Sequence, residues 1–199
     1  MISKLSNQIT QNLLKRNIIS DEEKELYDYG LFMITSYIAF FLISMLFGIA
    51  LNILFSSVIF YISFCLVRNF AGGIHANSEI RCNIITTVSI LISEILIKIF
   101  IDYSLVSIAF VMLIISSICL CVIKPISTSQ KVISRKEKLY FYKKVTVLTI
   151  LILIISTSSM VLGVYSITIS FSVGLSLSSI LLVLGKIFSK QSECCNYMA

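Results

Sequence analysis

Residues 31–67 read LFMITSYIAFFLISMLFGIALNILFSSVIFYISFCLV and contain no charged side chain. A bilayer core about 30 Å thick is crossed by about 20 apolar residues in a helix. This run is too long for one crossing and suits two short ones. Near its middle, Gly48 and Asn52 bound a short stretch that tolerates a tight turn. We therefore predict a hairpin of two membrane helices, although two re-entrant segments would fit nearly as well.

Further apolar runs follow the hairpin, and the composition of the whole chain agrees with them. With 57% hydrophobic and 13% charged residues, the chain differs from soluble domains, in which about a quarter of residues are charged. One proline and seven glycines leave no Pro/Gly-rich linker. We predict a single domain over residues 1–199, an all-α integral membrane bundle of about six transmembrane helices. The four later spans are predicted at residues 83–101, 105–123, 145–162 and 165–188.

The basic residues predict the orientation of these spans. Of the 16 Lys and Arg residues, all except Lys98 fall in the segments 1–30, 68–82, 124–144 and 186–199. The turns between these segments contain none, as six alternating crossings require under the positive-inside rule. We therefore expect a multi-pass protein of the cell membrane with both termini cytoplasmic. Since the net charge of +6 has this topological explanation, no nucleic-acid partner is expected.

The first 30 residues are polar and lack the apolar core and cleavage site of a signal peptide, so we expect them to stay in the cytoplasm. Apolar residues recur at helical spacing and predict an interfacial helix. The motif Ser20-Asp21-Glu22-Glu23 predicts a capping box at the start of a second short helix. The apolar residues are Ile2, Leu5, Ile9 and Leu13.

Two features of the predicted spans each leave two interpretations open. Glu94 and Lys98 lie four residues apart on one helix face, and they either neutralise each other or mark a functional site in the membrane. In the last span, small residues recur every fourth position and favour close helix packing, within the bundle or between protomers. These residues are Ser166, Ser170, Gly174 and Ser178.

The six cysteines all fall in predicted spans or on the cytoplasmic side, so a disulfide framework is not expected. Cys65, Cys119 and Cys121 lie in apolar runs and are interpreted as inert thiols. The pair Cys194-Cys195 follows the last span, in a predicted cytoplasmic tail at 189–199. It is either palmitoylated or without a role.

Cys82 ends the segment RNFAGGIHANSEIRC at residues 68–82, which contains the only histidine of the chain, His75. An imidazole can take the proton of a thiol, and this pair is the minimum equipment for acyl transfer. On one continuous helix the two residues would lie about 10 Å apart along the axis. Gly72-Gly73 would break such a helix and let His75 fold back towards Cys82, near the start of the next helix.

Other residues of this segment have open roles. Asn77, Glu79 or a residue from another segment would orient the imidazole. Arg68 would hold a peptide carboxylate, steady an oxyanion, or anchor the span at the membrane surface. Zinc needs three or four protein ligands, and one histidine with Cys82 and Glu79 falls short unless the protein dimerises around the site. We therefore predict neither a metal nor another cofactor.

The pattern Arg68, Ala71-Gly72-Gly73-Ile74-His75-Ala76 and Cys82 resembles the signature of the accessory gene regulator B family. These are membrane endopeptidases of Gram-positive peptide quorum sensing. The polar N-terminus, the close pair of spans, the basic loop and the overall length resemble that family too. The resemblance implies a cysteine endopeptidase with His75 as base and Cys82 as nucleophile, and it implies that Arg68 and Gly73 are needed for activity.

The reaction implied by the resemblance starts from a small propeptide that contains a cysteine. Cys82 would attack the carbonyl before the propeptide's C-terminal tail, release the tail and hold the remainder as a thioester. The cysteine inside the peptide would then displace Cys82 and close a thiolactone ring. The resemblance also suggests a homodimer, so the expected partners are the propeptide, the lipid bilayer and a second copy of the chain.

The predicted basic loop, residues 124–144, has two interpretations. Its positive charge holds the loop on the cytoplasmic side against anionic lipid, or its cations bind the acidic part of the propeptide, as the family's basic loop suggests. The family often has a second proline after the one matched by Pro125, and Val132 stands there in this chain. The four candidate contacts are Lys131, Arg135, Lys136 and Lys138.

Two alternative functions come from other classes. A small-solute transporter or accessory channel subunit would use Glu94 and Lys98 as pathway residues. A catalytically idle relative would bind or chaperone a peptide and would survive the loss of His75 and Cys82.

Overall fold

The computed structural model describes residues 2–15, 19–20, 23–71, 79–123 and 135–196. Within these ranges the chain forms seven α-helices and no strand, which confirms the predicted all-α fold class. The helices are α1 (Ile2–Lys15), α2 (Lys24–Ala50), α3 (Leu54–Ala71), α4 (Glu79–Asp102), α5 (Val106–Val122), α6 (Arg135–Val161) and α7 (Tyr165–Asn196).

Five of these helices are long and apolar enough to cross a membrane, which is compatible with a multi-pass membrane protein. They are α2, α3, α4, α6 and α7, and they correspond to five of the six predicted spans. The sixth, α5, has 17 residues and lies at the lower end of the range of about 17 to 25 that a crossing needs. Both helices of the predicted first hairpin, α2 and α3, are long enough to cross.

Three tight turns join these helices, at the places where the sequence predicts turns without basic residues. In each, one residue has the left-handed conformation that ends a helix: Asn52 (φ 57°), Ser104 (φ 52°) and Gly163 (φ 75°). Two backbone hydrogen bonds back to the preceding helix make each turn a Schellman motif. In each pair, the bond that spans five positions runs to a backbone carbonyl: from the N–H of Ile53 to Gly48 (2.8 Å), of Leu105 to Phe100 (2.9 Å) and of Val164 to Ser159 (2.9 Å).

By its contacts, the chain divides into residues 1–43 and residues 44–199, with the boundary inside α2. In the first unit, α1 is fixed to the start of α2 by Asp28. The Ser6 hydroxyl donates to Asp28 Oδ1 (2.5 Å), and Thr10 donates to the same atom (3.3 Å). Both hydroxyl side chains are buried, whereas Ile9 of the predicted apolar face is 38% exposed. The face of α1 that packs inside this unit is therefore polar.

The predicted capping box is half formed. Glu23 Oε2 accepts hydrogen bonds from the backbone N–H of Ser20 (3.1 Å) and from its hydroxyl (3.0 Å). These bonds favour the carboxylate and hold the pKa of Glu23 below its ordinary value. The N–H of Glu23 bonds to the carbonyl of Ser20 rather than to its side chain. The prediction of a second short helix here is wrong, because α2 begins at Lys24 and continues without a break through the first span.

In the second unit, α7 is the central helix and contacts α3, α4, α5 and α6. Its small residues Ser170, Gly174 and Ser178 are buried, so the stripe serves packing inside the bundle. Gly174 lies so close to α3 that a Cβ atom there would stand 3.2 Å from the carbonyl oxygen of Phe60. The hydroxyls of Ser176 and Ser178 donate to backbone carbonyls of α7 itself. Ser176 also forms a hydrogen bond with Ser116 of α5 (2.9 Å).

The helix ends differ from the predicted loops in three places. α3 continues to Ala71 and α4 begins at Glu79, so only residues 72–78 of the predicted catalytic segment lie outside the described residues. α6 begins at Arg135, within the segment predicted as a basic loop. α7 continues to Asn196, so most of the predicted tail, including Cys194-Cys195, is helical.

Candidate active site

Four helix termini meet at one end of the second unit. The last turn of α3 contacts the start of α4, because Arg68 Nη1 donates to Thr86 Oγ1 (3.4 Å). The same turn of α3 contacts the start of α6 through the rings of Phe70 and Phe141, whose centroids are 6.1 Å apart. The start of α6 in turn bonds the end of α5, where the Tyr142 hydroxyl donates to the carbonyl of Cys121 (2.5 Å). The predicted catalytic segment begins and ends in this group of termini.

Cys82 is the fourth residue of α4 and so lies in its first turn. This agrees with the predicted placement of Cys82 near a helix N-terminus. The first turn of a helix carries backbone N–H groups without helical partners and the positive end of the helix dipole, and both favour a thiolate over a thiol. Glu79 opens the same helix, three residues before Cys82.

His75 lies outside the described residues, as do Gly72, Gly73, Asn77 and Lys131. The pairing of His75 with Cys82 therefore stays a prediction, and so does the choice of the group that orients the imidazole. The ends of the connection are defined by Ala71, the last residue of α3, which is fully buried, and by Glu79 at the start of α4.

Arg68 is held in place by two neighbours that the sequence analysis did not single out. Besides the bond to Thr86, its guanidinium carbon lies 5.4 Å from the centre of the Phe64 ring. Thr86 is 5% exposed and lies four residues after Cys82 on α4. Residues four apart on a helix share a face, with Cβ atoms about 5 to 6 Å apart. The guanidinium thus lies about one helical turn from the position of Cys82. The four-residue spacing between Cys82 and Thr86 was the signal in the sequence that could have identified Thr86.

Three of the four predicted basic contacts lie in the first turn of α6. These are Arg135, Lys136 and Lys138, and the turn also contains Glu137. Cations at a helix N-terminus face the positive end of the dipole, so they do not stabilise the helix through it. The start of α6, a helix that contacts the end of α3, therefore carries a positive charge that helix stability does not explain.

The predicted pairing of Glu94 with Lys98 is wrong. Lys98 Nζ instead binds Asp102 Oδ1 (2.8 Å), one turn further along α4, and both side chains are partly exposed. Glu94 is 0% exposed and accepts a hydrogen bond at Oε1 from the hydroxyl of Ser44. The two residues thus face different surroundings, and the interpretation in which they neutralise each other is wrong.

We expect Glu94→Ala to lower the free energy of unfolding by about 2–4 kcal/mol, since it leaves a cavity and removes the partner of the buried Ser44 hydroxyl. Glu94→Gln keeps an acceptor of the same size and should cost less than about 1 kcal/mol. Lys98→Met removes a partly exposed ion pair and should change stability by less than about 0.5 kcal/mol. Unfolding by SDS in mixed micelles measures the stability of all three variants. Equal losses of stability for Glu94→Ala and Lys98→Met would contradict the assignment of Ser44 as the partner of Glu94 and of Asp102 as the partner of Lys98.

The comparisons with known proteins give one result. The family model described as accessory gene regulator B matches residues 4–184. No curated protein and no solved structure matches the chain. The matched range includes α3 and α4 with the segment between them, and the basic start of α6. Because the match covers most of the sequence, the chain belongs to the accessory gene regulator B family, which is known for the processing of quorum-sensing peptides.

Proposed function

We propose that the protein is a membrane cysteine endopeptidase that removes the C-terminal tail of a small quorum-sensing propeptide and promotes ring closure in the remainder. One observation carries the proposal: Cys82 lies in the first turn of α4, and the guanidinium of Arg68 is held one turn away by Thr86. A nucleophile at a helix N-terminus beside a fixed cation has the setting in which a thiolate forms and an oxyanion is stabilised.

The first half of the reaction is acyl transfer to the enzyme. His75 takes the proton of the Cys82 thiol, and the sulfur attacks the carbonyl carbon before the tail. Arg68 stabilises the negative oxygen of the tetrahedral intermediate. The C–N bond then breaks, the tail leaves with the proton from His75 on its new amine, and the rest of the propeptide stays on Cys82 as a thioester.

The second half exchanges one thioester for another. The thiol of the propeptide's own cysteine loses its proton to His75 and attacks the thioester carbonyl, and Cys82 leaves and is reprotonated. The bonds broken and formed are of the same kind, so proximity supplies most of the rate. Water would hydrolyse the thioester, and a site at the membrane surface, bounded by four helix termini, limits its access.

The cations of Arg135, Lys136 and Lys138, together with Lys131, would bind an acidic part of the propeptide. This use accounts for the positive charge at the start of α6, which the helix dipole does not favour. Gly72 and Gly73 would let the chain turn between α3 and α4. By the positive-inside rule, we expect this end of the bundle and both chain termini to face the cytoplasm.

The adduct itself tests the proposal. We expect the purified protein in liposomes, mixed with a synthetic cysteine-containing propeptide, to gain the mass of the propeptide's N-terminal part. Neutral hydroxylamine should remove this mass, because it cleaves thioesters. A propeptide with serine in place of its cysteine cannot displace Cys82 by its thiol, so its adduct should build up several-fold. Intact-mass spectrometry measures each species.

His75→Ala serves as the matched variant, because it leaves the nucleophile and removes the base. We expect its adduct to form at least about 100-fold more slowly. Absence of both adduct and cleavage with wild-type protein would move the assignment to peptide binding or transport. Unchanged adduct formation in His75→Ala would remove His75 from the mechanism.

A further inference from the structure

Lys144, the tenth residue of α6, has its ammonium group close to two aromatic rings. Its Nζ atom is 4.8 Å from the centre of the Phe70 ring and 4.7 Å from that of the Tyr140 ring. Phe70 belongs to the last turn of α3, so this contact joins the two helices next to the predicted catalytic segment. Ring centres within about 6 Å of an ammonium group attract it through the ring quadrupole.

The next residue, Val145, belongs to the core between the same helices. It is 1% exposed and packs in one apolar cluster with Val67 and Ala71 of α3, both fully buried. Phe70 packs against this cluster from its edge. Lys144 therefore lies at the boundary between the apolar core of α3 and α6 and the polar end of the bundle. Its ammonium group contacts the Phe70 ring, which packs against that core.

No carboxylate pairs with Lys144 among the residues that the structure describes, so the two rings are its identified partners there. The neighbouring Lys143 has the same charge and position in the sequence but an exposed side chain, and no ring contact is recorded for it within the described ranges. The two lysines thus differ in their contacts rather than in their charge.

We infer that Lys144 is a positioning residue for the proposed reaction. Through Phe70 it fixes the last turn of α3, and with it the point from which the chain leaves Ala71 for the segment that contains His75. Cys82 is fixed separately in α4, so a shift of the end of α3 would move the starting point of that segment relative to the nucleophile. This inference rests on the proposed function, and it differs from a role of Lys144 in binding the propeptide.

The test compares Lys144→Met with Lys143→Met, which removes the same charge one residue away. We expect Lys144→Met to lower kcat for propeptide cleavage about tenfold with KM changed less than twofold. Lys143→Met should leave kcat within twofold of wild type. Lys144→Arg keeps a cation over the rings and should recover most of the activity. Its recovery would also show that the effect is not a failure to fold.

Phe70→Leu removes the ring on the other side of the contact and should lower kcat to a similar extent. If the two residues act through one contact, the double variant Lys144→Met/Phe70→Leu should be no slower than the slower single variant. Multiplied effects in the double variant would overturn the inference. So would a raised KM with unchanged kcat in Lys144→Met, since that result marks a contact with the propeptide, and so would equal losses in the two lysine variants.

A second measurement needs no propeptide. Iodoacetamide alkylates Cys82 at a rate that follows its thiolate fraction and its surroundings, and peptide mass spectrometry separates it from the other cysteines. We expect Lys144→Met to slow this alkylation several-fold and Lys143→Met to leave it unchanged. An unchanged rate in Lys144→Met would overturn the inference even if the wild-type protein forms its adduct. If the wild-type protein forms no adduct, the proposed function is refuted, but the alkylation rates of Cys82 in the two lysine variants can still be compared.

Discussion

Cys82→Ala is expected to lower the rate of propeptide cleavage by at least about 10³-fold, to the background level, and to abolish the thioester adduct. The reason is that covalent catalysis has no substitute for its nucleophile, and the remaining groups of such a site retain little rate without it. Cleavage is measured by release of the C-terminal tail, and the adduct by intact mass. Size-exclusion elution in detergent checks that the variant is folded.

Cys65→Ala is the matched control for this substitution. Cys65 lies in α3, one turn before Arg68, and its side chain is partly buried, so it is a second thiol close to the same helix terminus. We expect this variant to retain cleavage within about threefold of wild type and to form the adduct, because a thiol inside the span has no part in the mechanism. Cleavage that persists in Cys82→Ala and is lost in Cys65→Ala would transfer the nucleophile to α3.

Gly174→Leu is expected to destabilise the bundle by at least about 3 kcal/mol. Its side chain would point at α3, where the Phe60 carbonyl oxygen is 3.2 Å from the Cβ position and the Ser63 side chain is closer still. A backbone carbonyl cannot rotate away as a flexible side chain can, so α3 and α7 must separate and lose packed area. The midpoint of SDS unfolding, or the melting temperature in detergent, measures the loss.

Gly30→Ala is the control for the glycine substitution, because a Cβ atom at Gly30 would meet nothing within 4 Å. It should leave stability unchanged or raise it by up to about 1 kcal/mol through helix propensity. Gly174→Ala should cost about 1–2 kcal/mol. Adding Ser63→Ala, which removes the nearest atom, should recover part of that loss. Equal stability of Gly174→Leu and Gly30→Ala would show that the helices do not approach closely.

The spans and turns were predictable because each depends on residues close together in the chain. An uncharged run too long for one crossing needs a turn, and Asn52 and Gly163 are residue types that accept the left-handed backbone of a helix end. Ser104 adopts the same conformation without that preference, so residue type alone would not have singled it out. The start of α6 was missed because its first turn is charged and lacks the apolar run that marks a span.

The partners of polar side chains were less predictable. Helical spacing puts both Glu94 and Asp102 one turn from Lys98, and the sequence favoured the wrong one of the two. The packing of Ser44 beside Glu94 comes from residues fifty positions away, and no local pattern contains it. Thr86 and Phe64 were likewise recognised only by their contacts with Arg68.

Hydrophobic length, charge distribution and a spaced motif are properties of the linear chain, and they sufficed to predict the fold class, the approximate spans and turns, and the family. Tertiary structure decided which residues meet where helices cross. It buried the small-residue stripe of α7 inside the bundle, separated Glu94 from Lys98, and placed Lys144 over Phe70. These contacts depend on how each helix is rotated about its axis and how closely it approaches helices distant in sequence. The periodicity within one helix determines neither the rotation nor the approach.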